Sequence, residues 1–203
     1  MYCPPHFRAD PAEALDSLAR APRLGFLVCN GDQAPAITPV PLMLRDGMLI
    51  GHLAKANPQA AALAASGRAV AIFPGPDAYV SPSFYPSKAA HHRVVPTWNY
   101  EVVTIEGAAT VIDDAERLHA IVSALTDAAE AARETPWAVT DAPPAFIAGQ
   151  LKGILGLTIV VETVIAKRKA SQNKDAADRE GVRRGLAAGE SAAQAIGALT
   201  PEG

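Results

Sequence analysis

The chain has 203 residues, 49% of them apolar and 19% charged, with a formal net charge of −3 and an isoelectric point near 5.9. That length suits one domain with a sizeable core, and that balance excludes wholesale disorder and the strongly basic field that draws a whole molecule onto nucleic acid. Its 2 cysteines, Cys3 and Cys29, are too few for a disulfide framework or a paired zinc site.

Pro4, Pro5, Arg8 and Asp10 interrupt the region where a secretory signal needs apolar residues, and no long uncharged apolar run follows. A cytoplasmic protein that neither spans nor binds a membrane is therefore expected. Asp10-Pro11 reads as a helix start, with the carboxylate as cap and proline in the first turn, and predicts a helix over 11–20 that ends near Pro22. Three apolar segments follow at 24–29, 36–44 and 48–53, separated by Asn30-Gly31-Asp32 and Arg45-Asp46-Gly47, the pattern of an antiparallel meander. Asn57-Pro58 opens a second helix that Gly67 stops.

A strand is expected at 69–73, then a long irregular segment punctuated by Pro74, Pro76, Pro82, Pro86 and Pro96. Residues 97–112 are β-branched and broken at Gly107, which suits a bent strand better than a hairpin. Leu118, Ile121, Val122 and Leu125 repeat at helical spacing within 113–133, another short helix opens at Pro143-Pro144, and 156–166 reads as one strand that closes a barrel. Residues 167–203 are rich in alanine, glycine and charge without a strong apolar stripe, and read as a basic, then alanine-rich extension: a tail or a peripheral helix.

Gly51-His52-Leu53-Ala54-Lys55-Ala56-Asn57-Pro58 runs from a strand end into a helix N-terminus. Free N–H groups, the helix dipole and the Lys55 charge suit a phosphate there. The plainer reading is that Asn57 caps a helix and Lys55 is solvated. The loop from Tyr79 to Lys88 mixes rings, hydroxyls and a lysine, as a planar ligand with polar edges requires, or else simply covers a barrel end. Trp98 suits ring stacking or the core. His91 and His92 have no acid or thiol at ligand spacing, so no metal is expected. No catalytic acid or base stands out, and glycine fingerprints of hydrolases, nucleoside triphosphatases and dehydrogenases are missing. Lys167, Arg168, Lys169, Lys174, Arg179, Arg183 and Arg184 form the one basic cluster, which reads as a solvated face laced with ion pairs before it reads as a phosphate-backbone contact.

In order along the chain, Met1-Tyr2 with Pro4 and Phe7, Gly51-His52-Leu53-Ala54 with Asn57-Pro58-Gln59, Tyr79-Val80-Ser81-Pro82-Ser83 with Tyr85-Pro86-Ser87-Lys88, and Val95-Pro96-Thr97-Trp98-Asn99-Tyr100 resemble the PaiB-type family, described as FMN-binding negative transcriptional regulators. Pro136-Trp137 with Asp141-Ala142-Pro143, and Ser171-Gln172-Asn173 with Asp178-Arg179 and Gly181-Val182, extend the resemblance over nearly the whole chain. It implies an α+β fold, an antiparallel FMN-binding split β-barrel with peripheral helices, built on residues 1–166 and dimerising with flavin near the subunit interface. Carried over by position, His52, Leu53, Ala54, Lys55 and Asn57 are the expected phosphate segment, and Thr38, Ser83, Lys88 and Trp98 are expected near the ribityl chain or ring. This chain has Thr38-Pro39-Val40-Pro41 where the family usually shows Thr-His-apolar-Pro, and Phe84 where it usually has tryptophan. Pro39 lacks an N–H, which predicts a bulge or a sheet edge.

The function so implied is flavin-linked transcriptional regulation, directly on DNA or through a partner. An FMN-dependent oxidoreductase fed by a reduced nicotinamide is the second expectation, since the chemistry belongs to the cofactor. A haem binder using His52, His91 or His92 as axial ligand is the third.

Overall fold

Alternating burial runs along the early strands, as a half-buried sheet requires, and organises the barrel. The computed structural model describes residues 1–202, Ala192 through its backbone alone; Gly203, the last residue of the 167–203 extension, lies outside the described residues. Helix α1 (Pro11–Arg20) precedes a meander of β1 (Arg23–Cys29), β2 (Ala36–Arg45) and β3 (Met48–Ala54). Helix α2 (Gln59–Ser66) ends on Gly67, whose φ of 61° is the left-handed stop expected of glycine. Strand β4 (Arg68–Val80), α3 (Ser87–His91), β5 (Thr97–Ile112), α4 (Ala115–Glu130), α5 (Pro144–Leu151), β6 (Ile154–Val160), β7 (Thr163–Lys169), α6 (Ala176–Ala187) and α7 (Ser191–Ala198) complete the described chain.

The sheet order is β4-β1-β2-β3-β6-β5-β7, and β4 also pairs with β5, which joins the ends of a six-strand run into a barrel. Every strand pair with a defined register is antiparallel. This is the α+β split β-barrel with peripheral helices implied by the resemblance. The residues cluster in two compact units: a barrel unit of Pro11–Phe73 and Thr104–Val164, and a terminal unit of Met1–Asp10, Pro74–Val103 and Ile165–Gly203. The chain passes from one to the other at Asp10–Pro11 and inside β4, β5 and β7.

In the barrel unit, Met43, Ile50, Ile112, Ile121, Ala124 and Leu125 form one buried cluster that seats α4 on the sheet. Asp114 caps α4 by accepting the Arg117 N–H at 2.9 Å, a contact of about 1 kcal/mol. Gly107, inside β5, allows the Val160 carbonyl to come so close that a Cβ would sit 1.6 Å from its oxygen. In the terminal unit, Ala78, Val80, Tyr85, Val182, Leu186 and Ile196 share a core.

Three sequence expectations change. The strand expected at 69–73 continues to Val80, through Pro74 and Pro76. Its partner β1 ends its register at Phe26↔Ile72, so beyond Phe73 one side of β4 has no ladder neighbour and the two missing N–H groups, both on that side, cost nothing. Residues 156–166 are not one strand: β6 and β7 break at Val161-Glu162, where Val161 N–H donates to the Gly47 carbonyl at 3.1 Å and Glu162 N–H to that of Glu106 at 3.1 Å. The weak apolar signal after residue 170 hides two helices, because part of the α6 contact is made by glycine. Gly181 and Gly185 lie so close to Phe84 that a Cβ on either would fall within 2.0 Å and 2.4 Å of its atoms.

Pro39 sits in unbroken register opposite Phe26, so there is no bulge. The edge is real instead: β2 pairs with β3 only through Met43–Arg45, and among the described residues its first half has no ladder partner on the side away from β1.

Candidate functional site

Where β2 and β3 part, the barrel unit brings Thr38 and Asn57 together. Asn57 ends the turn after β3; its side-chain N–H donates to Thr38 Oγ1 at 2.9 Å while its Oδ1 accepts the Gln59 N–H at 2.9 Å. Gln59 is buried, and its amide N–H groups donate to the carbonyls of Leu27 at 3.0 Å and Ala36 at 2.9 Å, pinning α2 to the β1–β2 hairpin. Its own Oε1 finds no partner. The motif quoted for the resemblance contains Gln59, but its role is visible only once β1 and β2 are paired.

The phosphate segment is more engaged than its sequence suggests. Lys55 Nζ donates to both Asp113 oxygens at 2.7 and 2.8 Å, and Lys55 N–H donates to the Gly153 carbonyl at 2.8 Å. The N–H groups of Asn57, Ala60 and Ala62 also have carbonyl partners. Leu53 is buried in the core, so only its backbone can meet a ligand, and Ala54 is exposed. Leu53 and Ala54 pair with Leu155 and Ile154 of β6, and on their other side β3 has no ladder partner, since its pairing with β2 stops at Ile50. His52 is half-buried with a buried Nδ1 that has no hydrogen-bond partner, and desolvation pushes its pKa below the ordinary histidine value.

The terminal unit holds Ser83, Lys88 and Trp98. Ser81 caps a short turn by accepting the Ser83 N–H at 3.2 Å, and Lys88 Nζ donates to Ser83 Oγ at 3.2 Å. Both line an open cleft of about 730 Å³ with Phe84, His92 and Arg184. The cleft wall is fixed by buried Asp178, whose oxygens accept the Ser87 N–H at 3.1 Å and its hydroxyl at 2.7 Å. Trp98, 53% exposed at the start of β5, meets Tyr79 edge-on with ring centroids 6.1 Å apart. Lys169 of β7 donates to Thr97 Oγ1 and, at 2.6 Å, to the Trp98 carbonyl. Burial in the first place, and then repulsion from Lys167 and Lys174, lower its pKa. His91 Nδ1 accepts the Arg93 N–H at 3.0 Å.

Residues 1–163 match the family described as "Putative FMN-binding domain". The protease synthase and sporulation protein PAI 2 of Bacillus subtilis is 31% identical over 182 residues, 88% of this chain and 85% of that one. An uncharacterised protein of Aspergillus fumigatus is 38% identical over 175 residues, 70% of this chain and 67% of that protein. Among solved structures, a conserved hypothetical protein of Mycobacterium tuberculosis superposes with a TM-score of 0.61 at 15% identity, over 86% of this chain and 94% of that one. An FAD- and haem-binding protein of Mycobacterium smegmatis does so at 0.54 and 22%, over 85% and 77%. At such identities the two structures speak for the fold.

The chain belongs to the PaiB-type FMN-binding family, and FMN is the cofactor of that family. The residues present suit it: an orphaned imidazole nitrogen and unpaired strand edge lie in the barrel unit, and in the terminal unit an exposed aromatic pair includes Trp98, whose carbonyl accepts from Lys169. Among the described residues no helix is long and apolar enough to cross a membrane.

Proposed function

We propose that this protein is a flavin-linked transcriptional regulator of the PaiB type, with residues 1–166 as its FMN-binding part and 167–203 as an extension. The observation that carries this reading is the 31% identity to PAI 2 across 88% of the chain. His52, the backbone of Leu53 and Ala54, Lys55, Asn57 and Thr38 are the proposed contacts to the phosphate end. Ser83, Lys88 and Trp98 are the proposed contacts to the ribityl chain and ring. Regulation through a partner fits better than direct DNA binding, because Arg183 and Arg184 of the basic segment already face Glu180, at 2.8 and 3.5 Å.

The test is the visible spectrum of protein incubated with FMN and then desalted. Retained flavin, weakened in Lys55→Ala, is the expected outcome; a colourless wild type rejects the reading. A strain lacking the protein should show transcript changes that a flavin-free variant fails to restore, and a salt-sensitive shift of DNA by the purified protein would favour direct action.

The proposed assembly is a cytoplasmic homodimer. Leu24↔Pro41, Phe26↔Pro39 and Val28↔Ile37 face one another across β1 and β2, so an apolar ladder covers one side of the sheet. Leu24 is 65% exposed, Phe26 40% and Ile37 60%, an outlay of bare surface that a second copy would cover. The unpaired thiols of Cys3 and Cys29 accord with a reducing compartment.

A second reading, an oxidoreductase that draws electrons from a reduced nicotinamide, is favoured by the open cleft beside Lys88 and Arg184, which has room for another ligand. Steady NADPH or NADH oxidation by FMN-loaded protein supports it, and its absence with common acceptors removes it.

A further inference from the structure

Three lysines of the terminal unit, Lys167, Lys169 and Lys174, are held by rings and neutral oxygens. Lys167 lies 5.1 Å from the ring centre of Tyr100 and donates to the Tyr2 carbonyl, Lys174 lies 4.9 Å from the ring centre of Tyr85, and Lys169 donates to a hydroxyl and a carbonyl. Among the described residues none of these three ammonium groups has a carboxylate within ion-pair distance. Glu101, the one acid in the first half of β5, is engaged by Arg168, and Asp178 is bound to Ser87. Lys169 is meanwhile partly desolvated and repelled by the other two lysines, so an added negative charge beside it relieves an existing repulsion.

Resting on the reading that Trp98 carries the flavin ring, we propose that this platform binds reduced FMN more tightly than oxidised FMN, and that Lys169 is the residue that sets the preference. The oxidised ring is neutral, whereas the reduced ring is electron-rich and at neutral pH largely anionic. A cation beside the ring therefore stabilises one form and is nearly indifferent to the other. Thr97 and the Trp98 carbonyl hold the ammonium in place without neutralising it. Lys167 and Lys174 add to the positive potential that an anionic ring would meet there. The protein would then report the redox state of the flavin through occupancy, which is what a flavin-linked regulator needs.

The experiment measures dissociation constants of the full chain for oxidised FMN and, under anaerobic conditions, for FMN reduced with dithionite, which supplies the two electrons while water supplies the proton. Trp98 fluorescence in a Trp137→Phe background gives the readout. The wild type is expected to favour the reduced form, Lys169→Met to lose at least tenfold of that ratio, about 30 mV in the potential of the bound flavin, and Lys169→Arg to keep most of it. Lys167→Met combined with Lys174→Met should lose less. A ratio unchanged in a folded Lys169→Met protein, or a wild type that binds both forms equally, overturns the inference and leaves FMN binding intact. Failure to bind either form overturns both.

Discussion

Lys55 and Lys169 are both lysines at the end of a strand, one in a segment expected to meet phosphate and one in a segment read first as a solvated, ion-paired face, and the fold reverses those readings. In the barrel unit Lys55 is clasped by both oxygens of Asp113, and Arg68 by Glu162 at 2.7 Å. In the terminal unit Lys169 is held by neutral oxygens and backed by other lysines. A cation that is already paired must be released before it binds a ligand; one that is not paired is available at once. Of these two lysines the one left without an acid belongs to the terminal unit, although the sequence motif that looks most like a phosphate site lies in the barrel unit.

That contrast can be broken most forcefully at Asp178. It is the buried acid of the terminal unit, committed to Ser87 rather than to any lysine, and Asp178→Ala should cost about 2–3 kcal/mol in urea unfolding by stranding the Ser87 donors. A loss below about 0.5 kcal/mol, the low end even for an ordinary hydrogen bond, would mean that the carboxylate is not what fixes the cleft wall. Next in size is Asp113→Asn, which frees Lys55. FMN affinity should rise several-fold if Lys55 contacts the phosphate, with stability altered by less than about 1 kcal/mol because the pair is exposed. An affinity that stays where it was would shift the phosphate away from Lys55.

The smallest effect concerns His52. Burial lowers its pKa in the folded state, so the unfolded chain takes up a proton first as pH falls below the ordinary histidine value of 6.5. Stability should therefore be full above that pH, decline as the pH drops through it, and level off once the folded state also protonates. Melting curves from pH 8 to pH 5, compared with those of His52→Phe, should show this component vanish in the variant; a parallel decline in both proteins would assign it elsewhere.

Much of the fold was readable from residue order. The helix start at Pro11, the Asn57 side chain accepting the Gln59 N–H, the stop at Gly67 and the helical spacing of Leu118, Ile121 and Leu125 each mark a local event that physics settles within a few residues. The errors arose where the deciding partner is distant in sequence. Pro74 and Pro76 look like breakers until β1 is seen to leave β4 at Ile72. Gly181 and Gly185 look like weak helix until Phe84 is found against them. The candidate site divides in the same way. Thr38 and Asn57 do meet, as do Ser83 and Lys88, whereas the engagement of Lys55 by Asp113 and the role of Lys169 depend on pairings across 58 and 71 or more positions that no local motif encodes.

The two proline pairs, Pro39 with Pro41 and Pro74 with Pro76, have a consequence for how copies of this chain can meet. Each pair removes backbone donors from a stretch of strand just where a neighbouring strand is lacking, so neither stretch can serve as a template on which a foreign strand lengthens the sheet. The apolar ladder of β1 and β2 remains open to a partner that approaches broadside, by side chains. The homodimer proposed above would thereby be steered toward a closed face-to-face pair and away from the edge-on growth that leads to fibres.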